Sequence, residues 1–216
     1  MLSLYCLKYA ESTLPESMVF AGGDKSKKIP ISFASYLIQT ENANILVDPG
    51  CDHLPGFEMR YISSPADVLQ AVGLTADDIT DVIVTHSHHD HIEAVKYFPK
   101  AVIHITALEY PSGRKYIPQS LKVNVFEKAY SLHPQVRLVQ WGGHSHGSAV
   151  VEIEAESVIH VLVGDECYSQ ENMTQKRCTG AFCSQEKAMA FIEKYSAPSY
   201  CVHTSHDISL KTERIL

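Results

Sequence analysis

Strand-like runs alternate with turn signals along the chain. Residues 31–39, Ile-Ser-Phe-Ala-Ser-Tyr-Leu-Ile-Gln, read as a strand, with 44–48 as its hairpin partner across the turn 40–43. Further β-branched runs predict strands at 81–85, 101–105, 136–140, 150–153, 158–163 and 200–203. Helix starts carry their own signals. Ser64-Pro65-Ala66-Asp67 has a capping hydroxyl, a proline at the first helical position and an acid in the first turn. Thr75-Ala76-Asp77-Asp78 repeats that logic for a short helix. Ser184 opens a segment in which Ala188, Phe191, Ile192 and Tyr195 form one apolar face at helical spacing. A hairpin-rich start followed by mixed strands and helices predicts two sheets with helices outside. Residues 21–28 read as a surface loop rather than a linker, so residues 1–216 are expected to form one domain.

Composition narrows the function classes. With 216 residues the chain can bury a sizeable core without staples. The net charge of -7 argues against a nucleic-acid partner, which needs a basic face. No apolar run approaches the ~20 residues of a membrane span, so no membrane partner is expected. The six cysteines (6, 51, 167, 178, 183 and 201) form no CxxC, and the first residues lack a signal-peptide pattern. They are read as free thiols packed as small hydrophobes in a reducing cytoplasm. One count stands out: 12 His against 11 Gly.

Much of that excess is concentrated in Thr85-His86-Ser87-His88-His89-Asp90-His91, directly after the apolar run 81–85. On such a turn His86 and His88 can both face one metal ion, while Asp90 and His91 face a second beside it. Imidazole and carboxylate suit zinc and related transition metals. A solvated His-rich loop is the plainer reading. The internal position, the preceding core strand and the Asp in register argue against it.

His-x-His-x-Asp-His after a strand resembles the signature of the metallo-β-lactamase superfamily. The likeness recurs in order downstream: Trp141-Gly142-Gly143-His144, then Val161-Leu162-Val163-Gly164-Asp165, then Tyr200-Cys201-Val202-His203-Thr204-Ser205-His206-Asp207. Upstream, Ile45-Leu46-Val47-Asp48-Pro49-Gly50 is similar to the family's strand ending in Asp-x-Gly. The resemblance implies an α/β fold, a four-layer αβ/βα sandwich with two divalent metal ions at the edge between the sheets. By motif position His86, His88 and His144 would hold one ion, Asp90, His91 and His206 the other, and Asp165 would bridge them. Zinc leads, with Mn or Fe suited to the same donors. His146 competes with His144, and His203 with His206; the glycine before His144 favours His144, and the acid after His206, Asp207, favours His206. His89 is expected to point away. His53, His104, His133 and His160 have no ligand spacing. Asp48 reads equally as a partner of a ligand histidine or as a turn residue. One departure is Ile92-Glu93-Ala94 where the family shows a small residue and Gly-Gly, an exchange expected to bring the Glu93 carboxylate near the site.

Fold alone cannot choose a reaction. Within the superfamily the closest resemblance is to the N-acyl homoserine lactone lactonases. Lys28-Ile29-Pro30-Ile31 leading into Tyr36–Glu41 is similar to their first hairpin, and Tyr168 stands three residues after Asp165, where they carry a substrate-contacting tyrosine. The resemblance implies hydrolysis of a small-molecule lactone or ester by a metal-bridging hydroxide, with Asp90, Asp165 and Tyr168 as catalytic residues. A thioesterase or phosphodiesterase on the same site is the alternative, or a non-catalytic metal-binding protein.

Overall fold

The computed structural model describes residues 2–216. The strands, in chain order, are β1 (Ser3–Pro15), β2 (Lys28–Gln39), β3 (Asn44–Val47), β4 (Arg60–Tyr61), β5 (Asp81–Ile83), β6 (Val102–Thr106) and β7 (Lys122–Phe126). They are followed by β8 (Ala129–His133), β9 (Val136–Gln140), β10 (Ala149–Ala155), β11 (Val158–Leu162), β12 (Tyr200–His203) and β13 (Glu213–Arg214). The first sheet runs β13-β1-β2-β3-β5-β6-β7, with β4 on β1. Its first half is antiparallel and the β3-β5-β6-β7 half is parallel. The second sheet runs β12-β11-β10-β9-β8, antiparallel except for the parallel β11–β12 pair.

Residue alternation explains why the sheets stack. On β2, Ile31, Phe33 and Leu37 face the outer layer of the first sheet. Ala34, Tyr36 and Ile38 face inward, where they meet Val136, Leu138, Val151 and Leu162 of the second sheet. Val150 and Val161 face the opposite way and are covered by Phe191, Ile192 and Tyr195. These last three lie on the helix Gln185–Tyr195, whose first turn is capped by the Ser184 hydroxyl accepting the Lys187 N–H. The result is the expected αβ/βα layering.

The outer layer of the first sheet is thinner than the sequence suggests. The segments opened by Ser64 and Thr75 are short 3-10 turns, Asp67–Val72 and Ala76–Asp78, rather than α-helices. Their predicted starts are present: the Ser64 hydroxyl accepts the Asp67 N–H at 3.0 Å, and Thr75 and Asp78 form a capping box. The pieces stop early because Gly73 turns left-handed at φ 74° and Ile79 returns to extended backbone. Burial of Val68, Leu69 and Ile79, rather than helical length, holds them in place.

The chain ends of β3, β5, β9, β11 and β12 lead into Asp48, His86, His144, Asp165 and His206 respectively. Loops after the carboxyl ends of strands from both sheets therefore gather at one rim, a usual place for ligands in open α/β sheets.

Candidate metal centre and active site

His86 leaves β5 fully buried, while His88, two residues on, is exposed. A four-residue helical turn, His89–Ile92, then carries Asp90 and His91 to the other side of the same space. His86 Nε2 lies 3.0 Å from His88 Nδ1, which lies 2.9 Å from His144 Nε2. Donor atoms of His86, His88, His144 and Asp165 all fall within 4.8 Å of one another, as do those of Asp90, His91 and His206. Asp165 sits between the two groups. Its Oδ1 is 3.0 Å from both His91 Nε2 and His206 Nε2. Its Oδ2 is 3.6 Å from His86 Nε2 and 3.4 Å from His144 Nε2.

The outward-facing nitrogens show how the rings are aimed. His144 Nδ1 donates to the Ala181 carbonyl at 2.5 Å, and His206 Nδ1 donates to the Ser32 carbonyl at 2.9 Å. A carbonyl only accepts, so both Nε2 atoms direct lone pairs inward. His91 Nδ1 pairs with Asp48 Oδ2 at 2.8 Å. Asp48 is itself held by the Thr85 N–H and hydroxyl, each at 2.8 Å. Gly164 permits this approach: it sits at φ +53°, and a side-chain carbon there would meet the Thr85 hydroxyl at 2.6 Å.

The electrostatics follow from packing these groups in a dry rim. Burial pushes the His86 imidazole down to about 4, helped by neighbouring His91 and opposed by Asp165. Burial likewise takes His144 down to about 3. Burial pulls His91 and His206 down too, but Asp165 and the other nearby carboxylates outweigh it and raise both. Burial opposes ionisation of Asp165, yet the four surrounding histidines hold it well below the carboxylate range. Among the described residues, the ion-pair partners of Asp90 and Asp165 are all histidines. Inward lone pairs and two carboxylates with no Lys or Arg counter-charge fit a pair of divalent cations. The pull that raises His91 is the pull such a cation would feel.

The alternates are placed elsewhere. His146 is exposed, two residues beyond His144. His203 turns to His160, with ring nitrogens 2.9 Å apart. His89 points to the Tyr116 hydroxyl at 3.3 Å, away from the cluster. The Glu93 carboxylate does not enter the site; it accepts the Asp52 N–H at 2.9 Å and pairs with Lys96.

Two carboxylates that the sequence reading did not single out organise the rim. Glu109 accepts the Ser87 N–H and hydroxyl at 2.8 and 2.5 Å, the Ser145 hydroxyl at 2.6 Å and the Gly147 N–H at 3.1 Å. It ties the loop of His86 to the loop of His144. Glu166 accepts the Gly143 and His144 N–H groups at 3.0 and 3.1 Å and the Ser148 hydroxyl at 2.5 Å. The available signal was position: Glu166 follows Asp165 directly, and Glu109 follows the end of β6.

Above the cluster lies a cavity of about 140 Å³, walled by Leu14, Met18, Phe33, Leu54, Phe57 and Tyr168. Tyr168 is 5% exposed, its ring 5.1 Å from that of His206. Burial and then the Asp165 charge keep its hydroxyl protonated well past the usual range. A larger groove of about 500 Å³, lined by residues such as Glu11, Arg60 and Ile208, contains none of these groups.

Residues 34–200 match the family model described as the metallo-beta-lactamase superfamily. The chain belongs to that superfamily. Among its relatives is the N-acyl homoserine lactonase AiiB of Agrobacterium fabrum, 27% identical over 216 aligned positions covering 78% of each chain. The N-acyl homoserine lactonase AiiA of Bacillus thuringiensis subsp. kurstaki is 27% identical, covering 78% of this chain and 77% of its own. A solved quorum-quenching N-acyl homoserine lactone lactonase superposes with a TM-score of 0.85 at 25% identity, over 99% of this chain and 98% of that one. The dizinc quorum-quenching lactonase AidC superposes at 0.76 with 19% identity, over 96% and 88%, a likeness of fold. Among the described residues, no helix of this superfamily member is long and apolar enough to cross a membrane.

Proposed function

We propose that this metallohydrolase opens a lactone, or a closely related carboxylic ester, of a small acylated molecule. The observation that carries the reading is the placement of Tyr168 and an apolar-walled cavity directly over the His/Asp cluster. A polar acyl carbonyl can meet the cluster while an apolar acyl chain lies against Leu14, Met18 and Phe57. The lactonase relatives point the same way.

His86, His88 and His144 would hold one divalent ion and Asp90, His91 and His206 the other, with one Asp165 oxygen toward each. When bound, such a pair supplies Lewis acidity and an activated water near neutral pH. The chain's own residues do the rest. Tyr168 donates its hydroxyl hydrogen to the carbonyl oxygen as negative charge develops there, the type of stabilisation worth most in acyl transfer. Asp165 takes the proton of the attacking water on a carboxylate oxygen and returns it to the departing alkoxide. Asp48 and the carbonyls of Ser32 and Ala181 keep three imidazoles oriented. The apolar walls limit water around the reacting carbonyl.

The test combines metal analysis with a substrate panel of lactones, thioesters and bis(nitrophenyl) phosphate. The expected result is bound metal, chelator-sensitive activity, and lactone opening as the fastest reaction. Less than one metal per chain with chelator-insensitive turnover overturns the reading. A fastest thioester or phosphodiester reaction reassigns the substrate on the same site.

A further inference from the structure

A second donor cluster lies on the inner face of the second sheet, separate from the cluster of Asp165. His160 on β11 is in register with Cys201 on β12, and Leu162 with His203. Alternation therefore puts His160, Cys201 and His203 on one face. The Cys201 sulfur and one nitrogen of each imidazole lie within 4.8 Å of one another, and all three side chains are only partly buried. His160 Nδ1 and His203 Nε2 are 2.9 Å apart, the same separation as the inward nitrogens of His88 and His144.

We propose that His160, Cys201 and His203 form a third metal-binding site, selective for a soft or borderline divalent ion such as Zn2+.

The donor set decides the class of ion. Two imidazoles and a thiol suit zinc and its neighbours, and contain no carboxylate to attract Ca2+ or Mg2+. Neither ring carries a competing ion pair: burial lowers both histidines, His203 to about 4, so both are neutral ligands at pH 7. Their rings lie 6° from coplanar with centroids 5.1 Å apart, so one ring donates an N–H directly to the other. An entering ion replaces that bond, and one ring turns about its side-chain axis to aim its lone pair at the ion. A tetrahedral zinc with ordinary bond lengths needs donors about 3.3–3.6 Å apart, so the two ring nitrogens open by about 0.4 Å from 2.9 Å and the sulfur closes by no more than about 1.2 Å from within 4.8 Å. The Cys201 thiol gives up its proton and the imidazoles give up none, so one proton leaves per ion bound. A cavity of about 340 Å³, bordered by His203, Tyr36 and Cys6, reaches one of the three donors.

The location gives the ion a structural consequence. Among the described residues, β12 is the edge strand of its sheet and pairs only with β11. An ion on these three residues cross-links the two strands three residues before His206.

Cobalt(II) tests the site without relying on turnover, because the cluster around Asp165 holds no thiol. In the 216-residue protein, titration with Co2+ is expected to produce a thiolate-to-cobalt charge-transfer band in the near ultraviolet. The band should vanish in Cys201→Ser and weaken strongly in His160→Gln. Zinc content after equilibration should exceed that of Cys201→Ser by one ion per chain. Cys183 is exposed, so Cys183→Ser is the control and should leave the band unchanged. No thiolate band in the parent chain, a band that survives Cys201→Ser, or one lost in Cys183→Ser overturns the proposal. The lactone-opening reading stands or falls separately, on activity and on the cluster around Asp165.

Discussion

Asp48 Oδ2 lies 2.8 Å from His91 Nδ1, and the same carboxylate accepts the Thr85 N–H and hydroxyl. Asp48 stands at φ 52°, a conformation unusual for a residue with a side chain. The contact joins the end of β3 to the helical turn after β5. It fixes the tilt of an imidazole without touching the space in front of that ring.

Asp48→Asn should therefore weaken metal retention by about 10- to 100-fold, the usual loss when the carboxylate behind a ligand histidine is removed. Competition with a chelator, read by metal analysis, measures this directly. Retention equal to that of the parent chain would make Asp48 only a turn residue.

Tyr168→Phe removes a hydroxyl above the cluster while leaving the ring packed against His144 and His206. Turnover of a lactone should fall, by up to the roughly 10²–10³-fold seen when one oxyanion donor is lost. Metal content should not change. Steady-state kinetics beside metal analysis separates the two outcomes.

Glu166→Ala leaves the N–H groups of Gly143 and His144 and the Ser148 hydroxyl without their shared acceptor. Stranded buried donors cost about 1–3 kcal/mol each. Urea unfolding should show a loss of at least about 2 kcal/mol. Metal retention should drop with it, because the backbone that aims His144 is released.

Asp81 bonds His104 at 2.7 Å across β5 and β6. Burial works to raise the Asp81 carboxyl, but the His104 and Thr80 hydrogen bonds win and lower it below 3.8. A carboxylate depressed in the folded state stabilises above its unfolded value and loses that contribution as pH falls through the folded one. The stability gap between the parent chain and Asp81→Asn should thus be full at pH 5–7 and shrink below about pH 4. Urea melts across that range, with a gap that does not change with pH, would count against the linkage.

Ser184→Ala removes the hydroxyl that accepts the Lys187 N–H at 3.3 Å, at the start of the helix Gln185–Tyr195. Stability should fall by about 1 kcal/mol. Catalysis should be unaffected, since that helix packs on the second sheet through Phe191 and Ile192.

Local patterns were the most legible part of the chain. The β2–β3 hairpin, β9, β12 and the helix after Ser184 lie where alternation and capping put them. The long β1, together with β7 and β8, was not predicted. Ser3–Pro15 mixes buried Leu4 and Leu7 with Lys8, Glu11 and Ser12, and its pairing slips between Lys8 and Ala10. That bulge breaks the period-2 signal on which strand prediction rests. The segments after Ser64 and Thr75 had sound helix starts but nothing to extend them. A start signal reports the first turn only; length is set by what the following turns can bury.

For the site, local order specified which residues are candidates for the chemistry but not where each ring points. Residues 85–91 place four candidate ligands, His86, His88, Asp90 and His91, on one turn, and an apolar run leading into Gly164-Asp165 can only present its acid at a sheet end. Those statements depend on neighbours in sequence, which local backbone geometry controls. The choice between His144 and His146, or between His203 and His206, depends on partners 37 to 174 residues away: Ala181, His160 and Ser32. So do the roles of Glu109 and Glu166, whose hydrogen bonds join loops distant in sequence. The sequence by itself determined the donor types and their order. Only the closing of two sheets into one rim decided which lone pairs face inward, because a hydrogen bond between distant segments exists only once both are packed.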